Sequence, residues 1–218
     1  CIYLSDEEIK FVKNLPRYKD VVHGYPYNKK GTVAEDYQYK EAYLFCLHTG
    51  FRQTDLSRLQ WKHIKQEMDS KNQLRQYVRL RASKNNNVVT VPLTKQALDI
   101  IGDRPKDNEQ FLFRMFRVLN KDGTLNLELN AKKSNTRSNH LTKYLTKSKA
   151  YLKSNIDLSR LREWHNARHT FANNFLRLSK NIALTAYCLG DSIATTANFY
   201  AKYDESDMKK VAETIDKL

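Results

Sequence analysis

The chain has 218 residues, with 38 Lys and Arg against 24 Asp and Glu and a formal net charge of +14; its pI is near 9.6. An excess of that size points to an acidic polymer as partner, most often nucleic acid, because neutralising phosphates releases condensed counterions. A 40% hydrophobic content allows a sizeable core, six Gly and four Pro exclude a linker-rich chain, and no apolar run approaches the roughly 18–20 residues of a membrane span.

The opening "CIYLSDEEIK" lacks the basic and apolar regions of a signal peptide, so a cytoplasmic location is expected, with no membrane partner. No initiating Met precedes Cys1, and a piece of a longer protein is expected. Cys1, Cys46 and Cys188 make no metal spacing and leave one cysteine over in any disulfide scheme. Cys46 and Cys188 sit in apolar segments, as small core residues do.

Taken in chain order, "LSDEEIKFVKNLP" carries a helix start, with Ser5 as cap, Glu8 as its capping-box partner and Pro16 as the stop. Tyr39, Ala42, Tyr43, Cys46 and Leu47 recur at i, i+3, i+4, i+7 and i+8, which predicts an amphipathic helix over 37–48. Gly50 ends it, and a second helical piece runs to about Trp61. The period then changes: "YVRLRA" and "VVTVPL" read as two strands joined by a polar turn at Asn85–Asn87, with Pro92 at an edge.

Residues 94–120 return to helix and loop, and "NKDGTLNLELNAKKSNTRSN" reads as a polar, mobile-looking stretch. Leu141, Tyr144, Leu145 and Leu152 predict another helix. Phe171, Phe175 and Leu178 predict the buried face of the next, and "ALTAYCLG" a further helix capped by Gly190. Met208, Val211, Ala212, Ile215 and Leu218 form a final apolar stripe. The fold class expected is mainly α with a small antiparallel β-sheet (α+β).

The chemistry concentrates in "EWHNARHTFANNFL". On a helix, His165 can meet Arg168 at i+3 and His169 at i+4. Three readings stand side by side: an anion site in which a guanidinium grips phosphate while an imidazole moves a proton; a zinc site, although the protease motif needs Glu where Asn166 stands; and a helix start whose polar residues are merely solvated. Elsewhere, Arg52 in "TGFRQTDL" reads equally as a surface arginine beside Asp55, Lys84 as a solvated turn residue, and Tyr200 in "LGDSIATTANFY" as a packing residue.

In this order and spacing, "TGFRQTDL", "ASKNNNVVTVPL", "HNARHTF" and "LGDSIATTANFY" resemble the tyrosine recombinases, the phage-type integrases, and specifically their catalytic domain, over essentially the whole chain. The resemblance implies the tyrosine recombinase catalytic-domain fold over 1–218 and a site-specific DNA strand transferase without cofactor or metal. Tyr200 would attack phosphorus and hold the 3′ phosphate covalently. His165 would act as general base, Arg52 and Arg168 would clamp the nonbridging oxygens, and Lys84 would bind phosphate and protonate the departing 5′ oxygen. His169 is left as a structural or helper residue. The implied partners are double-stranded DNA, a homotetramer on it and accessory DNA-bending proteins. The C-terminal helix, about 204–218, would dock on its own domain or on a neighbour, and N-terminal DNA-binding domains would lie outside this chain.

One departure stands out. The family has His or Trp where this chain has Asp191, and a carboxylate there repels phosphate unless it is turned away or paired; Ser192 is the nearest substitute donor. The alternative to an active enzyme is therefore a degenerate member that binds DNA without cleaving it.

Overall fold

A computed structural model describes residues 3–22 and 36–200. The expected helix at 204–218 lies outside the described residues. The first helix, α1 (Asp6–Lys13), has the capping box expected of it: Ser5 Oγ accepts from the Glu8 amide and Glu8 returns the bond to the Ser5 amide. After a short α2 (Tyr18–Val21) comes α3 (Tyr39–Thr49), the helix around which the core forms. Tyr39, Ala42, Phe45 and Cys46 on it are fully buried, and α3 packs against both α5 (Lys95–Ile101) and α8 (Trp164–Ser179).

Gly50 closes α3 in the left-handed conformation, with φ +67°, and a Cβ there would come within 2.4 Å of the Phe171 ring on α8. Gly50→Ala is expected to cost about 2–4 kcal/mol, the sum of left-handed strain and overpacking; an unchanged urea midpoint would contradict this close approach.

One turn of helix, α4 (Gln53–Leu56), and a 3₁₀ turn at Trp61–His63 lead into a sheet of three antiparallel strands, β1 (Ile64–Met68), β2 (Leu74–Arg81) and β3 (Val88–Pro92), in the order β1-β2-β3. The sequence predicted β2 and β3 but not β1. Four of the five β1 side chains are exposed, so no alternation marks the strand. Its place comes from pairing, which sets Ile64 opposite Val78 and Val78 opposite Val91. These three are buried and form the sheet's core face.

The stretch that reads as polar and mobile-looking is largely helical, with α6 (Leu127–Lys132) and the start of α7 (Ser134–Tyr151) inside it. Asn130 and Arg137, both buried, hydrogen-bond to each other there, so tertiary contacts outweigh a weak local preference. On α8, Phe171 is buried and Phe175 packs on the core, but Leu178 faces solvent, contrary to expectation. Trp164 at the start of α8 packs against the rings of Tyr39 and Tyr43 and so fixes where the next turn points. The described chain ends with α9 (Ile182–Leu189), which lies on β3, and α10 (Ile193–Tyr200), which packs on α8 and α9. Cys46 and Cys188 are buried free thiols, as expected. Among the described residues no helix is long and apolar enough to cross a membrane.

Candidate active site

Three chain turns and one helix face converge beside α8. Arg52 leads α4, directly after the Gly50 turn; Arg168 lies one turn into α8; Asp191 follows the left-handed Gly190 that ends α9. Arg168 is nearly buried and spreads its donors: Nη1 to the Gly50 carbonyl at 2.6 Å, and Nη2 to the Leu189 carbonyl at 2.9 Å and to Asp191 Oδ2 at 2.6 Å. The other Asp191 oxygen accepts from Arg52 Nη2. Asp191 is thus paired with both arginines rather than turned away from them. Burial and the neighbouring Arg168 charge both lower the Arg52 pKa, and Asp191 and Asp55 act against them.

Tyr200, at the last described turn of α10, lies with its hydroxyl 2.6 Å from His169 Nδ1. Burial, then the charges of His165 and Arg168, hold the His169 pKa at about 4, while burial raises that of Tyr200 to about 12. At neutral pH the imidazole is therefore neutral and the phenol protonated, and in the tautomer that carries its proton on Nε2 the phenol donates and Nδ1 accepts. His165 stands one helical turn earlier, its ring centroid 5.9 Å from that of His169, and has no hydrogen-bond partner among the described residues. One side of it is open to solvent, yet packing against the site removes part of its hydration. That loss, followed by the charges of Arg168 and Arg52, lowers its pKa, and Lys84 adds to the effect.

Lys84 is exposed at the tip between β2 and β3. The tip is fastened from two sides. Asp55 Oδ1, buried, accepts the Ser83 amide at 2.9 Å, and Asn85 Nδ2 donates to the Gly190 carbonyl at 2.7 Å. Asp55 is visible in its motif and Asn85 in the polar turn, but their bonds to Ser83 and Gly190 span 28 and 105 residues, and no local signal marks them. Ser192, the suggested substitute donor, instead bonds Thr195 at the start of α10. Among the described residues no three His, Cys, Asp or Glu side chains converge as a metal site, so the zinc reading of His165 and His169 finds no third donor among them.

A sequence profile of the phage integrase family matches residues 27–206. The chain belongs to the phage integrase family. Its fold is similar to that of the Tn1549 transposon integrase in complex with circular intermediate DNA (17% identity, TM-score 0.53, 96% of this chain and 64% of that one). It is likewise similar to the XerH site-specific recombinase bound to difH substrate in a pre-cleavage complex (15% identity, TM-score 0.57, 97% of this chain and 54% of that one). The chain thus spans less than two thirds of either integrase or recombinase. No curated protein is similar enough to count as a relative. Arg52, Arg168 and Asp191 stand in one cluster with the His169–Tyr200 pair beside it, and Lys84 is exposed at the neighbouring hairpin tip.

Proposed function

We propose that this phage integrase family chain is the catalytic domain of a site-specific DNA recombinase of a mobile element or prophage, which cleaves and rejoins duplex DNA through a 3′-phosphotyrosyl intermediate on Tyr200. The observation that carries the reading is the Tyr200 phenol hydrogen-bonded to a neutral histidine beside two guanidinium groups aimed at one anion. Two of the similar structures are described as DNA complexes, and the +14 charge supports DNA as partner here. A homotetramer on DNA, accessory bending proteins and action at the bacterial nucleoid in the cytoplasm complete the proposal.

In the cleavage step the Tyr200 oxygen bonds to phosphorus and the bond to the 5′ oxygen breaks, so one phosphodiester is exchanged for another and no water or nucleotide is consumed. Arg52 and Arg168 stabilise the charge that gathers on the nonbridging oxygens. Their two positive charges serve the transition state without a metal ion. Lys84 supplies the proton to the departing 5′ oxygen. The phenol proton goes to an imidazole. A base must reach the proton that it removes, and His169 does so in this geometry, while His165 takes the adjoining position next to the arginines and the phosphate. Rejoining runs the same transfers backwards.

The test is a nicked half-site from the ends of the encoding element, incubated with the protein in chelator and run on a denaturing gel. A covalent band is expected that is absent in Tyr200→Phe. The neutral imidazole is the working form, so cleavage should fall only as acid protonates it, with the acid limb below pH 6.5 because both site histidines titrate below their ordinary value. His169→Ala should cost about 10²–10⁴-fold if it is the base; a loss confined to His165→Ala would move that role to His165. Tight, salt-sensitive binding with no band under any condition would favour the binding-only member, a reading that Asp191 on both arginines motivates.

A further inference from the structure

Two guanidinium groups side by side repel each other, and here the counter-ion is part of the chain. Asp191 places one oxygen on Arg52 and the other on Arg168. A carboxylate bridging two arginines in this way presents the same two-oxygen edge that a phosphate presents to them. The side chains of Arg52, Arg168 and Asp191 are only 11%, 5% and 19% exposed, so water does not screen this pair as it screens surface ion pairs.

The carboxylate is also held in register. Its turn is fixed by the Asp191 amide on the Ala186 carbonyl, by Arg168 on the Leu189 carbonyl and by Asn85 on the Gly190 carbonyl. A Cβ at Gly190 would come within 2.4 Å of Val89 on β3, so the turn lies against the hairpin that carries Lys84.

We propose that Asp191 is an internal stand-in for the scissile phosphate, its carboxylate occupying the two-arginine anion site until a DNA phosphate displaces it. The inference rests on the reading that Arg52 and Arg168 bind that phosphate. A phosphate taking the same donors would meet the Asp191 carboxylate at close range, where like charges repel, so on this proposal phosphate entry swings the Asp191 side chain out. In the free protein the carboxylate offsets the repulsion between the arginines and keeps them aligned. It also shuts out small anions, because only a duplex contacting the rest of the basic surface has remote binding energy to offset the displacement. Through Asn85, movement of the hairpin on DNA is coupled to the turn that bears Asp191.

The experiment is calorimetric titration of the 218-residue chain with inorganic phosphate and with vanadate, alongside Asp191→Asn and Asp191→Ala. If the carboxylate leaves the site open about a tenth of the time or less, both variants should bind these anions at least about tenfold more tightly, and adding Arg52→Ala should abolish the gain. Folded variants with unchanged or weaker anion affinity would overturn the proposal. If neither variant folds, the unaltered chain decides: micromolar vanadate affinity would show an open site and refute the stand-in, while millimolar or weaker affinity is the result that it requires. The readout is separate from strand transfer. Tighter anion binding without any covalent DNA adduct would support the stand-in and sink the recombinase reading. An adduct with no affinity change in the variants would do the reverse.

Discussion

Arg168→Lys is expected to reduce covalent adduct formation by about 10²–10³-fold or more, the loss typical of removing a directed transition-state donor, although the positive charge is kept. The guanidinium serves three acceptors in different directions, the carbonyls of Gly50 and Leu189 and the Asp191 carboxylate. An ammonium on a flexible stem cannot present that fork. Two of the acceptors are the carbonyls at or beside the ends of α3 and α9, so Arg168 also joins the two turns that bring Arg52 and Asp191 into the site. Leaving those carbonyls without a donor should cost about 1–3 kcal/mol of stability each. Single-turnover cleavage and a denaturation curve, measured on the same preparation, separate the two effects. A lysine variant within about threefold of the parent rate would rule out bidentate phosphate recognition by this arginine.

Asp55→Ala should be strongly destabilising, at about 3–5 kcal/mol, the cost of breaking a buried ion pair from one side. The Asp55 side chain is 2% exposed. Its Oδ1 accepts from Arg58 Nε at 3.1 Å and Nη2 at 2.9 Å and from the Ser83 amide at 2.9 Å, and its Oδ2 lies 4.0 Å from Arg52 Nη1. Its removal leaves the Arg58 charge short of its partner and releases the hairpin next to Lys84. Hydrogen exchange should show lost protection at the Ser83 amide, and the cleavage rate should fall even where the fold survives. By contrast, Glu128→Ala on α6, which breaks an exposed pair with Lys132, should change stability by no more than about 0.5 kcal/mol. If both substitutions prove equally mild, the Asp55 cluster does not anchor the hairpin.

Much of this arrangement is legible in one dimension. The amphipathic spacing of Tyr39, Ala42, Tyr43 and Cys46 predicts α3, the capping box predicts α1, and alternation predicts β2 and β3. Each of these signals is local and repeats at the period of its own element. The order of Arg52, Lys84, His165, Arg168 and Tyr200 is enough for the family resemblance. Where periodicity is weak the reading fails: β1 exposes four of its five side chains, and the polar run before α7 becomes helical around the buried Asn130–Arg137 contact.

Within the site the division is finer. Sequence alone singled out the side chains proposed to carry the charge and the nucleophile, and it exposed the conflict of a carboxylate at Asp191. Only the tertiary structure decided that Asp191 lies across both arginines, that His169 meets Tyr200, and that Asp55 and Asn85 tether the hairpin. The physical reason is that hydrogen bonds depend on direction at ångström scale. The Arg52–Asp191 pair spans 139 residues, so its geometry is set by how α3, α8, α9 and the sheet pack together, and no local period in the chain encodes it.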